Sequence, residues 1–140
     1  MSALPLFCSA LAKQLADRHV TVSAWNVGGR RSANLVQLRT SRKPTVLYVK
    51  EFNVPNKPGF WGLTRNQLTR LEAADVRWFA VLLLRSAGAG YVLTGTQVLN
   101  RISNGSFELS GDGDYKVNED KDLAPAQFFD RVSQLIDRVL

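Results

Sequence analysis

The fold is decided by residues 45–52, which read Thr45-Val46-Leu47-Tyr48-Val49-Lys50-Glu51-Phe52. β-Branched and aromatic residues dominate this stretch and predict a strand. Residues 33–39 have the same character, and residues 40–44 between them, which end in a proline, predict a hairpin connection. Residues 76–84 are almost continuously apolar, which is typical of a central strand covered on both faces. Together these segments predict a mixed central sheet.

Helices, short strands and loops are predicted around this sheet. Apolar residues at helical spacing, and a capping pattern in which Gln67 follows Thr64 by three residues, indicate the helices. The predicted helices cover residues 5–18, 64–74, 95–102 and 125–140. Further strands are predicted at residues 19–25, 91–93 and 107–109. Turns or loops are predicted at residues 28–32, 53–62, 88–90 and 111–122. The order of elements predicts an α/β fold with helices on both faces of the sheet.

The length and composition favour one domain over residues 1–140. The chain has 140 residues and 45% apolar residues, which is enough to bury a core of ordinary size. Cys8 is the single cysteine, which excludes an intramolecular disulfide and a cysteine zinc cluster. No apolar run approaches the ~20 residues of a membrane span. We therefore expect a cytoplasmic protein without membrane contact.

Charge is unevenly distributed along the chain. Residues 1–101 hold 14 Lys and Arg against 4 Asp and Glu, whereas residues 102–140 hold 4 against 8, which gives the net charge of +6. A basic block followed by an acidic segment predicts one positive face, and such a face attracts polyanions. A solvated basic surface without a partner is the alternative interpretation.

The element order, with the basic Gly28-Gly29-Arg30 turn before the second strand, resembles the PD-(D/E)XK nuclease superfamily, the fold of restriction endonucleases. Within it, the chain looks most similar to archaeal Holliday-junction resolvases. The resemblance covers about residues 5–102 and implies a restriction-endonuclease-like core of order α-β-β-β-α-β. The acidic loop and C-terminal helix of residues 103–140 would lie outside that core. A homodimer is also implied.

In this superfamily, an acid on the second core strand and a carboxylate-x-lysine triplet on the third hold Mg²⁺ and position the attacking water. The matching residues here are Asn34, Tyr48 and Lys50. Residues two apart on a strand share a face, so Tyr48 and Lys50 should point to the same side. The resemblance implies that Asn34 joins them at one shallow groove ringed by cations. Mg²⁺ usually needs at least one carboxylate, and both are replaced. The resemblance therefore implies a decayed metal site, without a cofactor.

An active Mg²⁺-dependent enzyme is the alternative, and it needs acids from elsewhere. Glu72 on the second helix is the candidate for a relocated acid, and Gln67 on the same helix resembles a glutamine found there in resolvase-like members. Asp112 and Asp114 lie far along the chain and could return to the site, although a turn is the plainer interpretation. Glu51 is expected on the face opposite Lys50.

Nucleic-acid binding is the leading functional hypothesis. Cations and aromatic rings in turns and at element ends can contact phosphates and stack on bases of DNA or RNA, branched or single-stranded. The candidate binding residues are Arg30, Arg31, Arg39, Arg42, Lys43, Lys57, Phe60, Trp61 and Arg65. Phe60 and Trp61 could instead fold back onto the following helix. A protein-interaction subunit that reuses the fold is the third hypothesis.

Overall fold

A computed structural model of the chain describes residues 2–27 and 30–140, with the backbone alone at residues 26, 27 and 30–33. The strands of this part are β1 (Thr21–Val27), β2 (Arg30–Arg39), β3 (Thr45–Phe52), β4 (Phe60–Thr64), β5 (Arg77–Leu84), β6 (Gly90–Thr94), β7 (Glu108–Leu109), β8 (Asp114–Asn118) and β9 (Phe128–Phe129). Its α-helices are α1 (Leu4–Leu15), α2 (Arg65–Ala73), α3 (Gly95–Ser103), α4 (Glu119–Asp122) and α5 (Val132–Val139).

The main sheet has six strands in the order β1-β2-β3-β5-β6-β9. Strands β2 and β3 pair antiparallel, which confirms the predicted hairpin connection. Strands β3 and β5 pair parallel along their whole length, because the chain crosses over through β4 and α2 before it returns. The other neighbours are antiparallel. The predicted mixed central sheet flanked by helices is therefore confirmed.

Alternate side chains of the central strands β2, β3 and β5 enter two separate cores. On β3, Leu47 and Val49 pack with α1 and α5, whereas Val46 and Tyr48 pack with Trp25, Trp78 and the elements on the other side. This alternation follows from the two-residue period of a strand. It matters for the site because neighbouring residues of β3 reach opposite faces of the sheet.

A second sheet of three strands, in the order β4-β8-β7, covers the core that contains Tyr48. In this sheet Trp61 pairs with Val117, and both side chains are buried. The predicted loops at residues 53–62 and 111–122 are therefore wrong in part, since each contains strand residues. Both strands form because their inward residues find a hydrophobic core contributed by distant segments.

Two other boundaries differ from the prediction. Arg30–Arg39 form one strand, so residues 30–32 do not belong to the predicted basic turn; Gly28 and Gly29 lie outside the described residues. The last helix begins at Val132 rather than at residue 125, because Phe128 and Phe129 are extended and pair with β6. With β9 in the main sheet and β8 in the second sheet, residues 103–140 contribute strands to both layers.

Among the described residues, no helix combines the length and the apolar character that a bilayer crossing requires.

Candidate nucleic-acid interface

The three residues at the nuclease motif positions lie on two faces of the main sheet. Tyr48 belongs to the core beneath the second sheet, and the Nζ of Lys50 lies 6.0 Å from the centroid of the Tyr48 ring. Asn34 shares its face with Val36 and Leu38 on the side of α1, and its Nδ2 donates a hydrogen bond to the backbone oxygen of Val49 at 3.2 Å. The expected convergence of Asn34 with Tyr48 and Lys50 is therefore wrong.

Tyr48 supports the fold rather than lining an open groove. Its side chain is fully buried, and its hydroxyl accepts a hydrogen bond from the backbone N–H of Thr64 at 2.8 Å. Thr64 immediately precedes α2, so this bond ties β3 to the start of that helix. Burial raises the pKa of the Tyr48 phenol; the bond from Thr64 opposes this, and the carboxylate of Asp114 adds to it. The neutral phenol thus connects β3 to the start of α2.

Glu51 lies on the α1 side, as expected from strand alternation. Its carboxylate accepts hydrogen bonds from the Ser2 hydroxyl at 2.6 Å and from the backbone N–H of Ala3 at 2.5 Å. Burial acts to raise the pKa of Glu51, but these bonds, with others from Asn53 and Leu4, hold it below its usual value. A carboxylate at this position satisfies free N–H groups at the start of α1 and complements the helix dipole.

Glu72 is not close to Lys50. Its carboxylate accepts a hydrogen bond from Nε1 of Trp78 at 2.9 Å, and Trp78 pairs with Val46 on β3. Val46 precedes Lys50 by four residues, which is about 13 Å along a strand. Glu72 therefore fixes the Trp78 indole instead of replacing a lost ligand beside Lys50. Gln67 lies half-buried in the first turn of α2.

Asp114 is the acid whose negative charge acts on the pKa of Tyr48. It pairs with Thr64 across β8 and β4, and its Oδ2 would be 2.6 Å from a Cβ placed on Gly62. The glycine therefore makes room for this carboxylate. Asp114 also lies 3.9 Å from the Nζ of Lys116. The alternation of Asp114, Lys116 and Asn118 on one face of β8 was the sequence signal that the loop prediction missed.

The donor set at these positions does not fit Mg²⁺. Within residues 2–27 and 30–140, no three side chains of His, Cys, Asp or Glu come together in a way that could hold a metal ion. Glu51 lies on the face opposite Lys50 and is bonded to α1, while Asp114 is beside a lysine. A hard dication prefers several oxygen ligands, at least one or two of them carboxylates.

Cations gather at the two ends of β3 rather than around one cleft. Thr45 and Phe52 bound the strand, and they are seven residues or about 23 Å apart. The end near Thr45 contains a groove of about 460 Å³, here called the hairpin groove. Its polar lining consists of Arg18, Thr40, Ser41, Arg42, Lys43 and Arg77, together with Thr45.

The hairpin groove is strongly positive. Its lining has four cationic side chains and, among the described residues, no acidic one. Arg77 is held in place by a 2.9 Å hydrogen bond from Nη1 to the Val139 oxygen. Lys43 pairs with Asp75 at 3.2 Å, but both side chains are more than 60% exposed, so this pair is weak. Arg39 is exposed and directly precedes the groove residue Thr40.

The other end of β3 holds Lys57 and Phe60, both exposed. Trp61 is different: only 2% of its surface is exposed, and its Nε1 donates a hydrogen bond to the Leu83 oxygen at 3.1 Å. The prediction that Trp61 stacks on bases is therefore wrong, because its ring fills the core under the second sheet. Arg65 is exposed at the start of α2. The side chains of Arg30 and Arg31 lie outside the described part of the structure.

The fold has a counterpart among solved structures. Hjc, a Holliday junction resolvase from the archaeal hyperthermophile Archaeoglobus fulgidus, matches this chain with a TM-score of 0.53 and 12% sequence identity, over 94% of this chain and 98% of Hjc. The likeness confirms the nuclease-like fold, and at this identity it concerns the fold alone. It extends beyond the core predicted at residues 5–102. No protein-family model and no curated protein sequence matches the chain.

Proposed function

We propose that this protein binds nucleic acid through its phosphate backbone at the hairpin groove, and that it does not cut by the metal-dependent arrangement of nucleases. The observation that carries the proposal is the lining of the groove, which contains Arg18, Arg42, Lys43 and Arg77 and, among the described residues, no acidic side chain. The nuclease-like fold, which Hjc uses as a Holliday junction resolvase, supports a nucleic-acid partner.

The chemistry of the groove suits phosphate oxygens. Guanidinium groups donate parallel hydrogen bonds to phosphates, and hydroxyl groups such as those of Thr40 and Ser41 add further donors. Arg42 lies in a turn that is stabilised by a hydrogen bond from its backbone N–H to the Thr40 hydroxyl at 3.0 Å. None of these contacts reads a base edge, so we expect binding with little sequence preference.

We propose one domain over residues 1–140, because β8 and β9 from the acidic segment pair with β4 and β6. Homodimerisation, a cytoplasmic setting and the choice between DNA and RNA remain sequence-based predictions. Cleavage with relocated acids has less support, because Glu72 is bonded to Trp78 and lies away from Lys50.

The test is a binding titration with labelled single-stranded, duplex and four-way-junction DNA across a salt series. Wild-type binding should fall steeply with salt, by a slope of about one per phosphate contact in a plot of log affinity against log salt concentration. Arg42→Ala/Lys43→Ala should weaken binding to all three and reduce the slope by about two.

The matched control is Lys13→Ala/Arg131→Ala, which removes the same charge from exposed residues of α1 and of the turn before α5. Binding by this control should stay close to wild type. Equal losses in both double variants would mean that net charge, not the hairpin groove, attracts the ligand. Failure of the wild type to retain any nucleic acid would refute the proposed function and favour a protein-interaction role.

A further inference from the structure

A second surface with nucleic-acid chemistry surrounds Phe60, at the opposite end of β3 from the hairpin groove. Phe60 is 44% exposed, unlike most large apolar side chains of the protein. It lines a cavity of about 580 Å³, here called the Phe60 pocket, to which Phe52, Lys57, Asn118, Asp120 and Lys121 also contribute. An exposed aromatic ring among lysines can stack on a planar ligand that carries negative charge.

The ring is presented by a rigid backbone. On β4, Trp61 and Leu63 point inward, so alternation directs Phe60 outward. A Cβ on the preceding Gly59 would overlap the buried Trp61 ring, which leaves the backbone close against the indole. Gly59 also exchanges two hydrogen bonds with Glu119: its N–H donates to the Glu119 carboxylate at 2.7 Å, and its oxygen accepts from the Glu119 N–H at 2.9 Å. Stacking would therefore require little ordering.

Ammonium groups are placed for the phosphates of a stacked nucleotide. The Nζ of Lys116 lies 5.8 Å from the centroid of the Phe60 ring. It is oriented by a 2.7 Å ion pair with Asp112. Lys57 and Lys121 are exposed and make no ion pair among the described residues. Asp120 is the one acid in the lining against Lys57 and Lys121, so the lining carries net positive charge. Lys116 is outside the lining and also lies 3.9 Å from the Asp114 carboxylate.

We propose that the Phe60 pocket takes an unpaired nucleobase of a single-stranded or branched nucleic acid, with the neighbouring phosphates on Lys57, Lys116 and Lys121. This inference rests on the proposed function and deepens it, since it names unpaired bases as the substrate feature. A base inside a duplex is stacked on its neighbours and does not offer its face to the ring. The hairpin groove would hold the backbone of either form, and the pocket would select the unpaired one.

The test compares three ligands: an oligothymidylate of about 12 nucleotides, an abasic oligodeoxynucleotide of the same length, and a blunt duplex. Wild type should bind oligothymidylate more tightly than the abasic strand, which keeps the phosphates but lacks bases. Phe60→Ala should weaken oligothymidylate binding about tenfold and bind both single strands alike. Duplex binding should change by less than about twofold. Phe60→Tyr retains a ring and should behave like wild type.

Val54→Ala is the control, because Val54 is also 44% exposed and lies outside the lining of the pocket. Its three affinities should equal those of the wild type. The inference is overturned if Phe60→Ala leaves the preference for oligothymidylate intact, or if it lowers duplex and single-strand binding equally. Duplex binding that depends on Arg42 and Lys43 would then still support the proposed function. Phe60-dependent single-strand binding without any role for Arg42 and Lys43 would reject the hairpin groove and keep the pocket.

Discussion

The carboxylate of Glu51, at the end of β3, accepts a hydrogen bond from the backbone N–H of Ala3, 48 residues earlier in the chain. Ala3 directly precedes α1, which has no side-chain cap of its own. Glu51 therefore supplies from the sheet what a capping residue normally supplies locally. In a nuclease-like fold this end of β3 is where the motif residues are sought, and here an acid in that region is used to attach a helix.

Replacing Glu51 by glutamine should lower the free energy of unfolding at neutral pH by about 0.5–1 kcal/mol. The hydrogen bonds lower the pKa of Glu51 in the folded state, so the charged carboxylate stabilises the folded protein at pH values above about 4.3. That contribution is lost as the pH falls through the lowered pKa. Urea unfolding of both proteins from pH 7 down to about pH 3 should therefore show the difference shrinking.

Glu108→Gln is the control for this comparison. Glu108 is exposed on β7, and its side chain makes no hydrogen bond or ion pair within the described residues. Its replacement should change stability by less than about 0.5 kcal/mol at every pH. A difference between wild type and Glu51→Gln that stays constant with pH would contradict the capping role.

Tyr48→Phe should destabilise the protein by about 1–3 kcal/mol and leave nucleic-acid affinity unchanged. The substitution removes the acceptor of the Thr64 N–H and leaves this donor without its partner. Tyr115→Phe serves as the control, because the Tyr115 hydroxyl makes no hydrogen bond in the part of the chain that the structure describes. Denaturant unfolding and binding titrations measure the two effects. Lower affinity at unchanged stability would mean that the phenol contacts the ligand.

Gly59→Ala should cost about 1–3 kcal/mol or more, because the new methyl group would overlap the Trp61 ring. That ring cannot move away easily, since it is buried and bonded to the Leu83 oxygen. Gly111→Ala is the matched control, with no atom within 4 Å of its added Cβ. Unfolding followed by tryptophan fluorescence reports both variants. Equal stability of the two variants would show that a methyl group at residue 59 can be accommodated beside the Trp61 ring.

Wild-type protein should leave labelled duplex and four-way-junction DNA uncut in the presence of Mg²⁺, and EDTA should not change its affinity. The reason is the donor set: Asn34 and Tyr48 occupy the motif positions of the two carboxylates, and the Glu51 carboxylate is bonded to α1 on the face opposite Lys50. Products and complexes are separated on the same gel. Mg²⁺-dependent product that disappears with Lys50→Ala would instead establish an active nuclease.

The main sheet could be predicted because its signals are local. The strand at residues 45–52 and the apolar run that ends at Leu84 each carry several inward apolar residues. The hairpin joins β2 and β3, which are consecutive in the sequence. Strands β4 and β8 lack such signals. Val117 is the single fully buried residue of β8, and its partner Trp61 is more than 50 residues away. Pairing over that separation is a tertiary effect.

The candidate site was harder to predict because strand register decides which face a side chain reaches. A shift of one residue moves a side chain to the other side of the sheet. Asn34 and Tyr48 lie on adjacent strands, but the pairing of Leu35 with Tyr48 places them on opposite faces. Likewise, the order Phe60-Trp61 shows two aromatic rings but not which is exposed. That choice depends on the register of β4 against β8, which pairs Trp61 with the buried Val117.

The pairing of β4 with β8 also affects how the protein can be shortened. A fragment that stopped after α3 would keep every strand up to β6 but lose the neighbour of Trp61 and the backbone partners of β4. The bare edge and the uncovered indole would then be open to pairing with other copies, which is a route to aggregation. The acidic segment thus covers the core beneath β4, and we expect its removal to give an aggregating fragment rather than a smaller folded protein.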